Sequence, residues 1–254
     1  MELRESFRLD GKVCIVTGAT SGLGASFARG LSDMGGSVVV TGRRKDRLEH
    51  ECELLRSQGA DAIAVVADVT LVEDCARVID ATMDRFGRVG VLVNNAGLSG
   101  AAPATRELEN HFREIVEVNL MGVYWMAQAA GRVMGPESSI VNVSSVLALT
   151  TAGLPQAAYS ASKAGVLGLT RDLASQWGSR KGIRVNAIAP AFFPSEMLDE
   201  YEPSYMEELI ARRTVLGRVG RLEECTAAVV FLASPASSYI TGVVLPVDGG
   251  MLIT

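Results

Sequence analysis

The run Lys12-Val13-Cys14-Ile15-Val16-Thr17-Gly18-Ala19-Thr20-Ser21-Gly22-Leu23-Gly24 decides the fold. A short, mostly branched apolar segment runs into a glycine cluster, and from Gly22 to Met34 the apolar residues take helical spacing. That is the pattern of a strand buried on both faces turning sharply into a helix. Outward from it the alternation repeats. Ser37 to Thr41 reads as strand, Lys45 to Ser57 as helix, Ala62 to Ala67 as strand, Leu71 to Phe86 as helix and Val89 to Val93 as strand. Each crossover must carry the chain back over a face of the sheet, so the pattern predicts parallel strands covered on both sides.

The second half continues with a long helical stretch from about Glu107 to Met134, a strand Ser139 to Val143 and a helix from about Gln156 to Gly178. A strand Ile183 to Ile188, a helix Leu222 to Ala233 and a strand Val243 to Val247 follow. The expected fold class is α/β: a Rossmann-type, doubly wound parallel sheet of about seven strands with helices on both faces. No linker, low-complexity tract or internal repeat interrupts residues 1–254, so a single domain is expected. Only Pro190 to Leu216 breaks the rhythm, with three prolines and several large apolar residues. At about 25 residues it is longer than an ordinary connection and reads as a substrate lid.

Composition narrows the function. The 254 residues are 48% apolar and 21% charged, as in an ordinary globular chain able to bury a core. A net charge of −5 without a basic block excludes a nucleic-acid footprint and points to a small-molecule partner. Cys14, Cys52, Cys75 and Cys225 form no CxxC pair, and only His50 and His111 are present, so no metal is expected. Met1 to Asp10 lacks the apolar run of a signal peptide, and no stretch approaches the ~18 apolar residues of a membrane helix; the expected location is the cytoplasm.

Gly18, Gly22 and Gly24 stand where the first strand turns into the first helix, with Ser21 and Leu23 between them. Without side chains the backbone can approach a pyrophosphate, and the helix N-terminus offers it free N–H groups and partial positive charge. The alternative is merely a tight turn. About 20 residues further on, a dinucleotide site reads its cofactor: an acid binds a ribose 2′-hydroxyl, an arginine accommodates a 2′-phosphate. Here stand Thr41-Gly42-Arg43-Arg44, with no acid before Asp46, which favours NADP(H) and leaves NAD(H) open. The alternative is that Arg43 and Arg44 are solvated helix-start residues.

Asn94-Asn95-Ala96-Gly97 ends the fourth strand at the sheet edge where open α/β folds bind ligands, though the same residues can be only a turn. Asn119 lies in the apolar run Val118-Asn119-Leu120-Met121, where an amide must find partners or cost about 1–3 kcal/mol; a satisfied core amide is the alternative. Ser144 and Ser145 end the fifth strand at the same edge. In Tyr159-Ser160-Ala161-Ser162-Lys163 the phenol and the ammonium are one helical turn apart on one face, so the cation can favour the phenolate and make Tyr159 an acid/base. Such pairs also occur on plain surface helices.

Taken together and in this order, these motifs resemble the compact single-domain branch of the short-chain dehydrogenases/reductases, from Leu9-Asp10-Gly11-Lys12 to Val247-Asp248-Gly249-Gly250. The resemblance implies that Tyr159 is the general acid/base and that Lys163 lowers its pKa while bonding the nicotinamide ribose. It implies that Ser145 holds the substrate oxygen and Asn119 a water of a proton relay. It further implies a cofactor site of Gly18, Ser21, Gly22, Leu23, Gly24, Arg43, Arg44, Asp68, Val69, Asn95, Ala96, Gly97, Tyr159, Lys163, Pro190, Phe193 and Ser195, and a homotetrameric assembly. Three departures stand out. Ala191 and Ser195 replace the glycine and threonine of the family's Pro-Gly-x-x-x-Thr segment, Ser21 replaces a basic residue common in NADP-preferring relatives, and the serine-to-tyrosine spacing is one residue long, which keeps Ser144 as a second candidate hydroxyl.

The implied reaction is the reversible reduction of a ketone to a secondary alcohol. Gly42-Arg43-Arg44 and Phe192-Phe193-Pro194-Ser195-Glu196-Met197 are similar to polyol and sugar-acid dehydrogenases such as gluconate 5-dehydrogenases. A 3-oxoacyl carrier-protein reductase is the alternative, against which the acidic Gly135-Pro136-Glu137-Ser138 and for which Arg171 can be set. A non-catalytic NADP-binding sensor or scaffold is the alternative of another class, disfavoured because it needs no such set as Asn119, Ser145, Tyr159 and Lys163. Phe192, Phe193, Met197, Leu198, Tyr201, Tyr205 and Met206 suggest a partly apolar pocket wall. Ala161, Ala164, Gly165 and Gly168 allow close helix contact across a two-fold axis or against the chain's own sheet.

Overall fold

The structure is a computed structural model that describes residues 2–196 and 202–254. Seven strands form one parallel sheet: β1 (Val13–Thr17), β2 (Ser37–Gly42), β3 (Ala62–Val66), β4 (Val91–Asn94), β5 (Ser138–Val143), β6 (Ile183–Pro190) and β7 (Val244–Val247). Their spatial order is β3-β2-β1-β4-β5-β6-β7. The winding direction reverses between β1 and β4, and a crevice opens there at the carboxyl ends of the strands.

Period-2 burial explains why β1 holds its place. Cys14 and Val16 face one layer of core with Phe27, Leu31 and Leu48, while Val13 and Ile15 face the other with Leu92, Ile140 and Met126. Helices α1 (Gly22–Asp33), α2 (Lys45–Ser57) and α8 (Leu222–Ala233) supply the first layer. Helices α3 (Val72–Phe86), α5 (Gly122–Val133) and α6 (Ala157–Lys181) supply the second. Local chemistry sets the ends of α6: Gly182 adopts φ 69° just past the helix, where a side chain is strained, and Arg180 and Lys181 complement the negative end.

Two expected elements differ. The long helical stretch near 107–134 is divided into α4 (Glu109–Val116), a π-turn Glu117–Met121 and α5. The break falls on Asn119, whose amide draws its hydrogen bonds from outside the helix. The segment 190–216 is not wholly irregular either. Pro190 closes β6, paired in register with Val247, and α7 (Pro203–Arg213) starts with Glu202 accepting the Tyr205 N–H at 2.8 Å. The strand ends at a proline because its missing donor costs nothing at the last rung.

The glycine turn is packed backbone to backbone. A side chain at Gly24 would collide with the Gly18 carbonyl and the Asn95 amide, and one at Gly18 would lie 2.8 Å from Ala96 Cα. Gly24→Ala is therefore expected to lower unfolding stability by about 1–3 kcal/mol or more, as in other overpacked positions. A lower urea midpoint at unchanged slope would verify this.

Candidate active site

A cleft of about 450 Å³ opens over the carboxyl ends of β1, β4 and β5. Gly18, Ser21, Gly22, Leu23, Gly24, Arg43, Arg44, Asp68, Val69, Asn95, Ala96, Gly97, Ser144, Ser145, Tyr159, Lys163, Pro190, Phe193 and Ser195 all line it, so the residues expected to hold a cofactor come together. Asn119 sits just behind: a side chain at Gly97 would lie 3.2 Å from its Oδ1 and 3.4 Å from Lys163 Nζ. Helix α1 starts at the cleft without a side-chain cap and without an acid in its first turn, so its leading amides face an anion unopposed. Space beside Gly22 stays open to 3.8 Å. These features fit the pyrophosphate of a dinucleotide.

Hydrogen bonds join the turn to β4. Thr17 Oγ1 accepts the backbone N–H groups of Asn95 and Ala96, both at 3.0 Å. Asn95 Nδ2 donates to the carbonyls of Thr17 at 3.0 Å and Gly18 at 3.1 Å. Asn95 thus shapes the glycine turn through its own amide. Beneath it runs a buried ladder: Asn94 Nδ2 donates to Asn142 Oδ1 at 2.9 Å, and Asn142 Nδ2 to Thr170 Oγ1 at 3.0 Å. Sequence reasoning passed over Asn142, although Ile140-Val141-Asn142-Val143 carries the same signal as Asn119, an amide within an apolar run.

Asn119 is fully buried and engaged on both sides of its amide. Its Oδ1 accepts the Leu98 N–H at 2.7 Å, and its Nδ2 donates to the Leu98 carbonyl at 2.9 Å and to Ser162 Oγ at 3.2 Å. The side chain therefore positions the Leu98 segment through both ends of its amide.

Lys163 is the buried cation of the site. Its Nζ donates to the Val143 carbonyl at 2.9 Å and lies 5.7 Å from the centre of the Tyr159 ring. Burial pushes its pKa down to about 8. The two serines separate clearly: Ser144 Oγ donates to the Lys163 carbonyl at 2.8 Å and serves the fold, whereas Ser145 Oγ accepts the Leu147 N–H at 3.1 Å at the mouth of a second cavity.

That cavity, about 110 Å³, lies beside the cleft, and Ser145, Tyr159, Ser99, Phe193 and Ser195 line both. Gln156 adds a further polar wall, and Leu147, Leu154, Phe192, Met206 and Met251 are among its apolar ones. Ser99 Oγ is buried without a hydrogen-bond partner within the protein. Of the apolar residues anticipated here, Phe192, Phe193 and Met206 do line the cavity, Tyr205 is solvent-exposed, and Met197, Leu198 and Tyr201 lie outside the described residues. Ala191 takes the family's glycine position without strain: among the described residues the only non-glycine with positive φ is Glu137, and the Ala191 N–H bonds Val247 O at 3.1 Å.

At the opposite end of the cleft, Arg43 and Arg44 differ. Arg43 is largely solvated, with its Nη1 3.9 Å from Asp68 Oδ2. Arg44 is spent on Thr20, Ser21 and Glu196. Asp68 also accepts the Thr70 N–H at 3.0 Å and its hydroxyl at 2.8 Å. Asp46 turns away and borders a separate surface groove with Arg47 and His50. Glu196 and Thr20, neither anticipated from sequence, belong to this rim because loops 152 and 24 residues away from Arg44 in sequence meet it.

The Lys163 pKa has a stability consequence. A folded value of about 8 lies below the ordinary 10.5 of an unfolded lysine, so the penalty is fully present below pH 8 and relieved as pH rises toward 10.5. Lys163→Met is expected to melt a few degrees above the wild type at pH 7, with the difference shrinking by pH 10 as roughly 2–3 kcal/mol of penalty is lost. Paired thermal melts across that range measure it; a wild type more stable at pH 7 would mean that the bond to Val143 outweighs burial.

Comparison with known proteins places this geometry. The family described as enoyl-(acyl carrier protein) reductase matches residues 18–252. The chain is 37% identical to the 3-oxoacyl-[acyl-carrier-protein] reductase FabG of Thermotoga maritima, covering 97% of this chain and 100% of that one. It is 38% identical to the galactitol 2-dehydrogenase (L-tagatose-forming) of Cereibacter sphaeroides, covering all of both chains (100% and 100%). Among solved structures, a gluconate 5-dehydrogenase from Burkholderia cenocepacia in complex with NADP and tartrate superposes with a TM-score of 0.95 at 33% identity over 100% of both chains. By its sheet order, its site and these relatives, the chain belongs to the short-chain dehydrogenase/reductase family of oxidoreductases.

Proposed function

We propose that this enzyme interconverts a ketone and a secondary alcohol with NADP(H), and that its substrate is a compact polyol or sugar acid. The observation that carries the reading is that Tyr159 and Ser145 line both the dinucleotide-sized cleft and the small adjoining cavity, so one carbon can meet both. The nicotinamide, when bound, supplies or accepts the hydride.

In the reductive direction Tyr159 gives its phenolic proton to the substrate oxygen as that oxygen gains negative charge, and in the oxidative direction it takes the proton back. Ser145, its oxygen fixed by the Leu147 N–H, donates to the same substrate oxygen. Lys163 stabilises the phenolate while the proton is away. Its bond to Val143 uses one of three ammonium donors and leaves two for a ribose. Asn119 acts by position, holding the Leu98 segment and Ser162, one residue before Lys163. The segment near 190–216 serves as the lid.

Ser99 supports a hydroxylated substrate, since its buried, unpartnered hydroxyl would gain a hydrogen bond from one. A cavity of about 110 Å³ also suits a compact molecule better than a long acyl chain. The 3-oxoacyl carrier-protein reading is the runner-up, supported by the Thermotoga maritima relative and by the exposed Arg171 on α6. Arg43, with Arg44 beside it, is the residue proposed to meet the 2′-phosphate. The assembly is proposed to be a homotetramer working in the cytoplasm, a location that four free, buried cysteines suit. Gly165 contributes less to such contacts than its size suggests, because Leu120 of the same chain fills the space beside it.

Turnover of polyols and aldonates with NADP⁺, compared with β-keto thioesters and NADPH, tests the substrate reading; Tyr159→Phe should lower the active reaction by about 10²- to 10⁴-fold while NADPH still binds. Undiminished turnover in that variant would remove Tyr159 from the chemistry. Arg43→Ala should weaken NADPH about tenfold in a fluorescence titration and leave NADH within twofold, a difference of about 1.4 kcal/mol. Equal losses for both coenzymes would mean that Arg43 does not read the phosphate.

A further inference from the structure

We propose that Glu196 limits the preference of this site for the phosphorylated coenzyme by competing with the 2′-phosphate for Arg44. The inference rests on the NADP(H) reading above and adds to it a residue outside the coenzyme contacts already named.

Arg44 has no donor nitrogen to spare. Its Nε and Nη2 donate to Thr20 Oγ1 at 3.2 and 2.7 Å, and Nη2 also to Ser21 Oγ at 3.0 Å. Its Nη1 donates to both oxygens of Glu196, at 3.0 and 2.9 Å. Arg47, one turn along α2, donates to the same carboxylate. Glu196 thus bridges two guanidinium groups from a segment that follows β6 and forms the facing wall of the cleft.

The charges there are Arg43, Arg44 and Arg47 against Asp68 and Glu196. A monoester phosphate brings about −1.5 to −2 at neutral pH, so it must share Arg44 with Glu196 or displace it. A 2′-hydroxyl brings no charge and meets no such competition. The carboxylate therefore opposes the 2′-phosphate, which the phosphorylated coenzyme carries and the other lacks. The two arginines lower the Glu196 pKa, Arg47 first and Arg44 next, which favours its ionised form. Reciprocity follows: a phosphate that takes Arg44 also loosens the hold of α2 on the segment after β6.

Binding, not turnover, tests this. Wild type, Glu196→Gln, Arg44→Gln and the double variant are titrated with adenosine 2′,5′-bisphosphate and with 5′-AMP, and in parallel with NADPH and NADH. Glu196→Gln should tighten the bisphosphate and NADPH about three- to fivefold, the scale of exposed ion pairs, and leave AMP and NADH within twofold. The gain should fade in 0.5 M salt and vanish in the Arg44→Gln background. Equal shifts for ligands with and without the 2′-phosphate, weaker bisphosphate binding, or a gain that survives without Arg44 each overturn the role of Glu196 while the coenzyme reading stands. A wild type that binds none of these ligands overturns both.

Discussion

A buried ammonium is the constraint on which the site depends. Lys163 is almost inaccessible, and an ion in that position is tolerated only where the fold supplies oxygen acceptors and a reason to remain. Val143 supplies one acceptor from the last residue of β5, and the next residue, Ser144, returns a hydrogen bond to the lysine's own carbonyl. Strand end and helix are thereby locked in one relation, with Ser145 and Tyr159 on the outer side of the lock. The stability cost of the buried cation is the counterpart of an ammonium held beside the Tyr159 ring at the cleft.

Around that lock the sheet edge is built from polar groups hydrogen-bonded to one another, with Asn94 Oδ1 left unpaired. Thr17 and Asn95 fasten the glycine turn to β4, Asn94, Asn142 and Thr170 run beneath it, and Asn119 holds Leu98 through a π-turn. Thr17, Asn94, Asn119, Asn142 and Thr170 are buried, so each bond missing there would cost more than the bond made contributes. The outcome is a rigid floor. Irregular backbone at Asn119 is the local concession that lets a helix present an amide sideways.

The rim is organised differently, by exposed charge. Arg43, Arg44 and Arg47 from the start of α2 are balanced by Asp68 and Glu196 from two other loops. Interactions there are weak singly, screened by salt and exchangeable, which suits recognition more than stability. The floor fixes Ser145, Tyr159 and Lys163 at the cleft, and the rim sets the charge that a ligand meets there.

Much of this was legible in the chain. The glycine turn after β1 could be read because backbone approach requires missing side chains, and the two layers of core because parallel strands need apolar residues on both faces. Tyr159 and Lys163 could be paired because a helix fixes what lies one turn apart. Sequence also placed Ser145 and Arg43 at the carboxyl edge of the sheet and Asn119 within a helical run. It named Ser145 but kept Ser144 as a second candidate, since two adjacent hydroxyls differ only in which way the strand end points them. It could not see Glu196 on Arg44 or the partners of Asn119, because those contacts join residues far apart in the chain and arise only when separate loops meet. Local spacing thus determined the elements and the pairing of Tyr159 with Lys163, whereas tertiary packing decided which polar groups are already satisfied and which are left to a ligand.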